Sequence, residues 1–308
     1  MRSPTGIRLA EARHEYFRII GDRSEASQTL PAAWFLAGIR APNAVISSAP
    51  AAPATFPRVS STGACRVLML DDSLVIVLAG GAGERLYPLT KERAKPAVYF
   101  GGPYRIIDFT LSNCINSGLR RIFIVTQYKS LSLNRHIRMG WNVVAEELGE
   151  FVEILPPQKR VSENWYLGTA DAVYQNLYSI TREAPRHIVL LSGDHVYKMD
   201  YYKMLTAHRE CGAVATIAAL DVPIEDATRF GVIQVDDKDR VIGFQEKPRE
   251  PRCIPGSPGR ALVSMGIYIF DAAYLVKALE ADAARPSSHD FGKDILPGLL
   301  ADGLPMYV

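Results

Sequence analysis

From Leu74 onward, short apolar runs alternate with stretches of helical spacing, and this alternation constrains the fold more than any other feature. Leu74–Leu78, Ile122–Thr126, Ile188–Leu191, Val214–Leu220, Val232–Val235 and Val263–Phe270 read as strands. Leu111–Ser117, Ala170–Ile180 and Tyr201–Arg209 carry apolar residues at helical spacing. Strands separated by helices predict an α/β fold with a mostly parallel sheet, because parallel neighbours need crossover connections that lay helices on both faces. A chain of 308 residues that is 48% hydrophobic can fill such a core. Ligands are then expected at the carboxyl ends of the strands, where helix N-termini present free N–H groups.

Residues 1–68 show no sustained period, and Ala41–Pro57 is rich in Ala, Pro and Ser, so a disordered extension is expected ahead of a folded domain at 69–308. Met69 opens the first good strand and marks an expected natural start. The apolar run Leu30–Ile39 is too short for a membrane span and, lying behind Glu11, Glu15, Asp22 and Glu25, is a poor export signal. With 35 basic against 33 acidic side chains, nothing points to a nucleic-acid surface. Cys65, Cys114, Cys211 and Cys253 form no CxxC or metal-like spacing, which suits reduced thiols in the cytoplasm.

Directly after the first strand comes Ala79-Gly80-Gly81-Ala82-Gly83-Glu84-Arg85-Leu86, a turn in which Gly80, Gly81 and Gly83 let the backbone approach a ligand and offer N–H groups to phosphate. It is not a P-loop, since no Gly-Lys-Ser/Thr follows. It also misses the dinucleotide pattern of a dehydrogenase, because Leu86 stands where the last glycine belongs. Arg85 and Lys95 are two cations suited to a departing pyrophosphate. Taken alone, the same residues also fit a tight connection with a solvated surface pair.

The whole stretch from Gly80 to Val98, of the form GGxGxRLxxLTxxRAKPAV, resembles the nucleotide-binding signature of the ADP-glucose pyrophosphorylases of bacterial type. Phe100–Phe109 and Leu111–Gly118 continue the resemblance, which runs from about Leu74 to the end of the chain. It implies a Rossmann-like nucleotidyltransferase fold, a three-layer αβα sandwich with a mixed, mostly parallel sheet. It also implies adenylyl transfer from ATP to glucose 1-phosphate in glycogen biosynthesis, a cytoplasmic location, and a homotetrameric full-length enzyme without nucleic-acid or membrane partners. UTP, dTTP or GTP as donor, and a non-catalytic sugar-nucleotide-binding subunit, are the competing readings.

Residue by residue, the resemblance implies catalytic roles for Arg85, Lys95 and Asp194, nucleotide contacts by Gly80, Gly81, Gly83, Gln127 and Gly168, and a sugar-phosphate pocket of Tyr166, Gly231, Glu246, Lys247 and Ser264. Asp194, in Ser192-Gly193-Asp194-His195, follows a buried strand and is a hard oxygen ligand suited to Mg²⁺. Thr169 and Asp200 read as helix caps, and His289–Asp294 as a helix start. Arg93 and Arg105 are expected effector contacts, while Glu92 stands where enteric relatives carry an activator-binding lysine. A family segment of the form Tyr-Trp-Arg-Asp-Val-Gly-Thr and the hexapeptide repeat of a C-terminal β-helix do not occur in the sequence. Truncation at Val308 is therefore expected, with an inactive or poorly assembled fragment as one outcome.

Overall fold

A computed structural model describes residues 70–81, 83–157 and 165–308. The expectations for residues 1–68 and for a start at Met69 lie outside the described residues. Four parallel strands form one half of the sheet, in the order β3 (Phe151–Leu155), β2 (Arg121–Val125), β1 (Ser73–Leu78), β4 (His187–Ser192). Antiparallel to β4 runs β8 (Arg260–Asp271), followed by β5 (Ala215–Pro223) and the short β9 (Met306–Tyr307). A hairpin of β6 (Gly231–Val235) and β7 (Val241–Glu246) branches from β8.

The central strand shows why this sequence makes three layers. Leu74, Val75, Ile76 and Val77 are all fully buried, and alternate side chains enter different cores. Leu74 and Ile76 meet Val173 and Ile180 of α3 (Thr169–Tyr174) and α4 (Leu177–Arg182), and Leu275 and Leu279 of α7 (Ala272–Ala283). Val75 and Val77 meet Leu111 of α1 (Ile106–Asn116), Leu133 and Ile137 of α2 (Leu131–Gly140), and Leu205 of α5 (Tyr201–Glu210). Each such side chain contributes about 1.5–3 kcal/mol by leaving water.

Local chemistry sets the helix boundaries. Asp200 caps α5, accepting from Tyr202 N at 3.1 Å. The expected helix Ala170–Ile180 is instead two short ones. The Asn176 amide takes the Ala172 carbonyl at 2.8 Å, which diverts the Asn176 N–H to Val173 O. Helix α1 begins before the expected Leu111, because Asp108 accepts from Arg105 N at 2.7 Å and completes a capping box. A short α6 (Ile224–Ala227) precedes β6, and α8 (Leu296–Ala301) leads into β9.

At the amino ends of the strands, His187 of β4 and His208 of α5 meet edge to face at 5.2 Å between centroids, both almost completely buried. His208 Nδ1 pairs with Thr216 Oγ1 at 2.8 Å, whereas both ring nitrogens of His187 and Nε2 of His208 have no partner among the described residues. Burial above all lowers both imidazoles from 6.5 to about 4. His208, Arg209 and Arg186 add to this at His187, and Arg209 adds at His208, while Asp271 opposes it at both. An unfolded chain takes up these protons from about pH 6.5 downward, and the folded one resists until about 4. Their contribution to stability is therefore full above 6.5 and declines as pH falls through that window. Thermal melts should show the midpoint dropping between pH 6.5 and 4, with a shallower slope in the His187→Gln/His208→Gln variant. An unchanged slope would contradict this account.

Candidate active site

Parallel pairing brings three strand ends level. Leu78 of β1 lies opposite Val125 of β2 and Ser192 of β4, so the residues just beyond them sit side by side. Ala79 N donates to Val125 O and Gly193 N to Leu78 O, both at 2.9 Å, which extends the ladder past the strand ends. Gly80 is therefore placed against Gln127, where an added Cβ would lie 3.1 Å from Gln127 Cβ. A side chain at Gly193 would press on Val77 at 3.0 Å, so the chain can turn beside β1 and aim Asp194 over the sheet edge.

Asp194 is the focus of charge. Lys95 Nζ donates to its Oδ2 at 2.7 Å, Ser192 Oγ to its Oδ1 at 2.5 Å, and His195 Nε2 stands 3.4 Å from Oδ1. Burial raises the carboxyl pKa, but His195, Lys95 and the hydrogen bonds from Lys95 and Ser192 together outweigh it and hold the group below the usual carboxylate range. The neighbouring His195 is lowered, chiefly by burial and further by Lys95, against the pull of Asp194, so it is neutral near pH 7. Lys95 reaches Asp194 from a one-turn 3-10 helix, Lys95–Ala97, anchored by buried Ala94 and Ala97.

Gly83 is left-handed, at φ 65°, and an added Cβ would lie 2.8 Å from Lys95 Cβ. The glycine turn and the lysine are thus in contact. Gly81 has open space around it. Arg85, on the 3-10 turn Glu84–Leu86, is exposed and makes no ion pair among the described residues.

The sugar-phosphate residues expected from the sequence gather on the antiparallel half. Gly231 pairs with Glu246 across the β6–β7 hairpin, and Glu246 Oε2 occupies space that a Cβ on Gly231 or Gly292 would invade, at 3.0 and 2.8 Å. Lys247 Nζ donates to Glu246 Oε1 at 2.5 Å and is otherwise largely exposed. Ser264 lies inside β8 rather than at its start. Beside the irregularity in β5–β8 pairing, its Oγ donates to Tyr268 OH at 3.3 Å and accepts from Gly266 N at 3.1 Å. Burial pushes Tyr268 up to about 12 against the Ser264 hydrogen bond, with help from the Glu246 and Asp290 carboxylates.

Contacts link the two halves into a circuit. Gln127 Nε2 donates to Tyr166 O at 3.4 Å, and Asn176 holds the Tyr166 hydroxyl at 3.0 Å. Gly168 has an extended backbone, with His289 O only 2.2 Å from where its Cβ would be, so a protein segment fills the space beside it. Thr169 does not cap α3. Its hydroxyl donates to Asp290 Oδ2 at 3.0 Å and accepts from Phe291 N at 3.1 Å. Asp290 in turn caps the turn Phe291–Ile295, whose Gly292 abuts Glu246. The circuit closes where Gly266 faces His195, whose Cε1 lies 4.0 Å from the Cβ position.

Sequence reasoning attached no role to Ser192 or Tyr268, read Thr169 only as a helix cap, and placed Asp290 and Gly292 only within a helix-start pattern. Of these, Asp290 keeps the part its pattern suggests, capping the turn that follows it. Arg93 and Arg105 stand apart from the circuit, each placing its guanidinium over Tyr99, at 5.2 and 5.0 Å. Arg105 Nη1 donates to Ser132 O at 2.8 Å, and its Nε is buried without a hydrogen bond among the described residues.

A hard divalent cation fits the residues present at Asp194. That carboxylate already carries a cation, the Lys95 ammonium, on Oδ2, and Ser192 fixes its orientation. No cluster of three or more acidic, His or Cys side chains suited to a metal occurs among the described residues. A single carboxylate is nevertheless enough for a metal that completes its shell with phosphate and water.

Residues 74–308 match the protein family described as Nucleotidyl transferase. A glucose-1-phosphate adenylyltransferase of Koribacter versatilis is 58% identical over 234 residues, covering 75% of this chain and 56% of that protein. Glucose-1-phosphate adenylyltransferase 2 of Alkalilimnicola ehrlichii is 58% identical over 229 residues, 74% of this chain and 54% of that protein. A Rhodopirellula baltica protein with the same adenylyltransferase name is 54% identical over 236 residues, 76% of this chain and 53% of its own length. The chain spans about half the length of the curated relatives it matches.

The glycines of the site separate by what surrounds them. Gly168→Ala forces a methyl into the His289 carbonyl and should destabilise by about 1–3 kcal/mol. Gly81→Ala meets open space and should stay within about 0.5 kcal/mol of the parent. Urea unfolding of the two variants measures the difference, and equal midpoints would contradict the placement of the His289 segment.

Proposed function

The chain belongs to the nucleotidyl transferase family, and we propose that it transfers the adenylyl group of ATP to α-D-glucose 1-phosphate, giving ADP-glucose and pyrophosphate for glycogen biosynthesis. The observation that carries this reading is the Lys95–Asp194 pair, set against the glycine turn at the carboxyl ends of β1 and β4. The choice of ATP and glucose 1-phosphate is supported by the names of the relatives. No helix among the described residues is long and apolar enough to cross a membrane. A cytoplasmic location and a homotetrameric full-length protein accompany the reading.

In this mechanism Gly80, Gly81 and Gly83 present backbone N–H groups to the triphosphate, while Gln127 reads the base through its amide. Gly168, with the space beside it filled by His289, shapes the wall next to Tyr166. A phosphate oxygen of glucose 1-phosphate attacks the α-phosphorus of ATP. As that P–O bond forms, the bond from the α-phosphorus to the bridging oxygen breaks and pyrophosphate leaves with the electron pair. Lys95 and Arg85 meet the negative charge that grows on the leaving group. The nucleophile is already an anion, so no base is needed, in keeping with a neutral His195. When bound at Asp194, Mg²⁺ neutralises phosphate charge and favours in-line geometry.

On the acceptor side Lys247 places a point charge on the sugar phosphate, and Glu246 and Ser264 accept from or donate to sugar hydroxyls, with Gly231 and Tyr166 as flanking contacts. Arg93 and Arg105, two guanidiniums over one tyrosine ring, are suited to a phosphate-bearing effector.

Pyrophosphate release measured with ATP, UTP, dTTP and GTP, each with glucose 1-phosphate and Mg²⁺, tests the reading. ATP should be strongly preferred, and Asp194→Asn should abolish turnover. Lys247→Ala should raise KM for glucose 1-phosphate by roughly ten- to hundredfold, the worth of one charged hydrogen bond, with KM for ATP little changed. Preference for another nucleotide would overturn the adenylyl assignment, and full activity of Asp194→Asn would overturn the site.

A further inference from the structure

Lys129 lies two residues beyond Gln127 in the loop after β2 and adopts a left-handed backbone, φ 47°, that few non-glycine residues tolerate. Its Nζ crosses to another loop, donating to Lys91 O at 2.6 Å and to Thr90 O at 3.3 Å. No carboxylate pairs with it among the described residues. The two carbonyls end a run of tight turns that begins at the glycine loop. Leu86 N donates to Gly83 O, Tyr87 N to Glu84 O, Leu89 N to Leu86 O and Lys91 N to Pro88 O, all between 2.8 and 3.1 Å. Such a run leaves its last carbonyls without backbone donors, and a cation there satisfies them and opposes the negative end of the turn dipoles.

The run is also tied back on itself. Buried Thr90 donates from Oγ1 to Gly83 O at 3.0 Å, and its Cγ2 lies 2.9 Å from the Gly83 Cβ position. The same position is 2.8 Å from Lys95 Cβ. A continuous chain of contacts therefore leads from the Lys129 ammonium through Thr90 to Gly83 and on to Lys95, and Arg85 rides on the turns between. We propose that Lys129 is a positioning residue for the nucleotide loop: it fixes the far end of the Gly83–Lys91 segment, and thereby the phosphate-facing glycine turn and its two cations, without touching the nucleotide. This rests on the reading of the glycine turn as the triphosphate site.

Calorimetric titration of the chain with ATP and Mg²⁺, and separately with glucose 1-phosphate, tests the proposal in Lys129→Met and Lys129→Arg, with thermal melts alongside. Lys129→Met should bind ATP about tenfold more weakly, the equivalent of one charge-assisted hydrogen bond, while glucose 1-phosphate affinity stays within about twofold. Lys129→Arg, which retains a cation able to reach carbonyls, should recover most of the ATP affinity. The proposal is overturned if Lys129→Met binds ATP like the parent, if both ligands weaken equally as the melting point falls, or if the arginine variant is no better than the methionine one. Should the parent prefer UTP, dTTP or GTP, the adenylyl reading falls, and the selective loss measured with that nucleotide still decides the role of Lys129. A parent chain that binds no nucleoside triphosphate overturns both.

Discussion

The parallel hydrogen bonding of β1 on both its edges is the constraint on which the rest depends. Because Leu78 is in register with Val125 on one side and Ser192 on the other, the three chains leave the sheet at one level. Gly80, Gln127 and Asp194 become neighbours although 114 positions separate the first from the last in sequence. A one-residue slip in either pairing would turn the β1 side chains toward the wrong core. Such a slip would also separate the glycine turn from the carboxylate. The register is thus enforced by two fully packed faces, and the site inherits its precision from them.

Both halves of the site use the same electrostatic device. Lys95 on Asp194 and Lys247 on Glu246 are short ion pairs whose side chains remain partly open to solvent. Pairs of that kind contribute little net stability. They keep the two lysines aimed. The depressed acidity range of Asp194 follows from the same arrangement: His195, Lys95 and Ser192 together outweigh the burial that would otherwise neutralise it, so the carboxylate stays charged for a cation to bind. Glu246 is confined differently, by the absence of side chains on Gly231 and Gly292.

Much of the fold was legible because strands buried on both faces are continuous apolar runs, as in Leu74–Leu78 and Ile188–Leu191. Strand β3, with Glu153 exposed in its middle, and β7, with exposed Ile242, lack that pattern and went unread. The split between α3 and α4 depends on a side-chain amide competing for one carbonyl, which periodicity does not register. At the site, the glycine turn, Lys95 and Asp194 announced themselves through spacing and resemblance. Gly168 was read as permitting close approach of a ligand, whereas a protein carbonyl occupies the space beside it. Thr169 and Lys129 act through contacts 121 and 38 positions away, and long-range hydrogen bonds of this sort leave little local trace in a sequence.

The central claim is that the triphosphate lies on the turn Gly80–Gly83 with its metal on Asp194. A crystal structure of the chain with a non-hydrolysable ATP analogue and Mn²⁺ in place of Mg²⁺ tests it most directly. The account predicts phosphate density against the glycine backbone, an anomalous peak at the Asp194 carboxylate, and Lys95 moved from Oδ2 to a phosphate oxygen. Phosphates bound elsewhere, or a metal with no contact to Asp194 while Lys95 keeps its place, would contradict it.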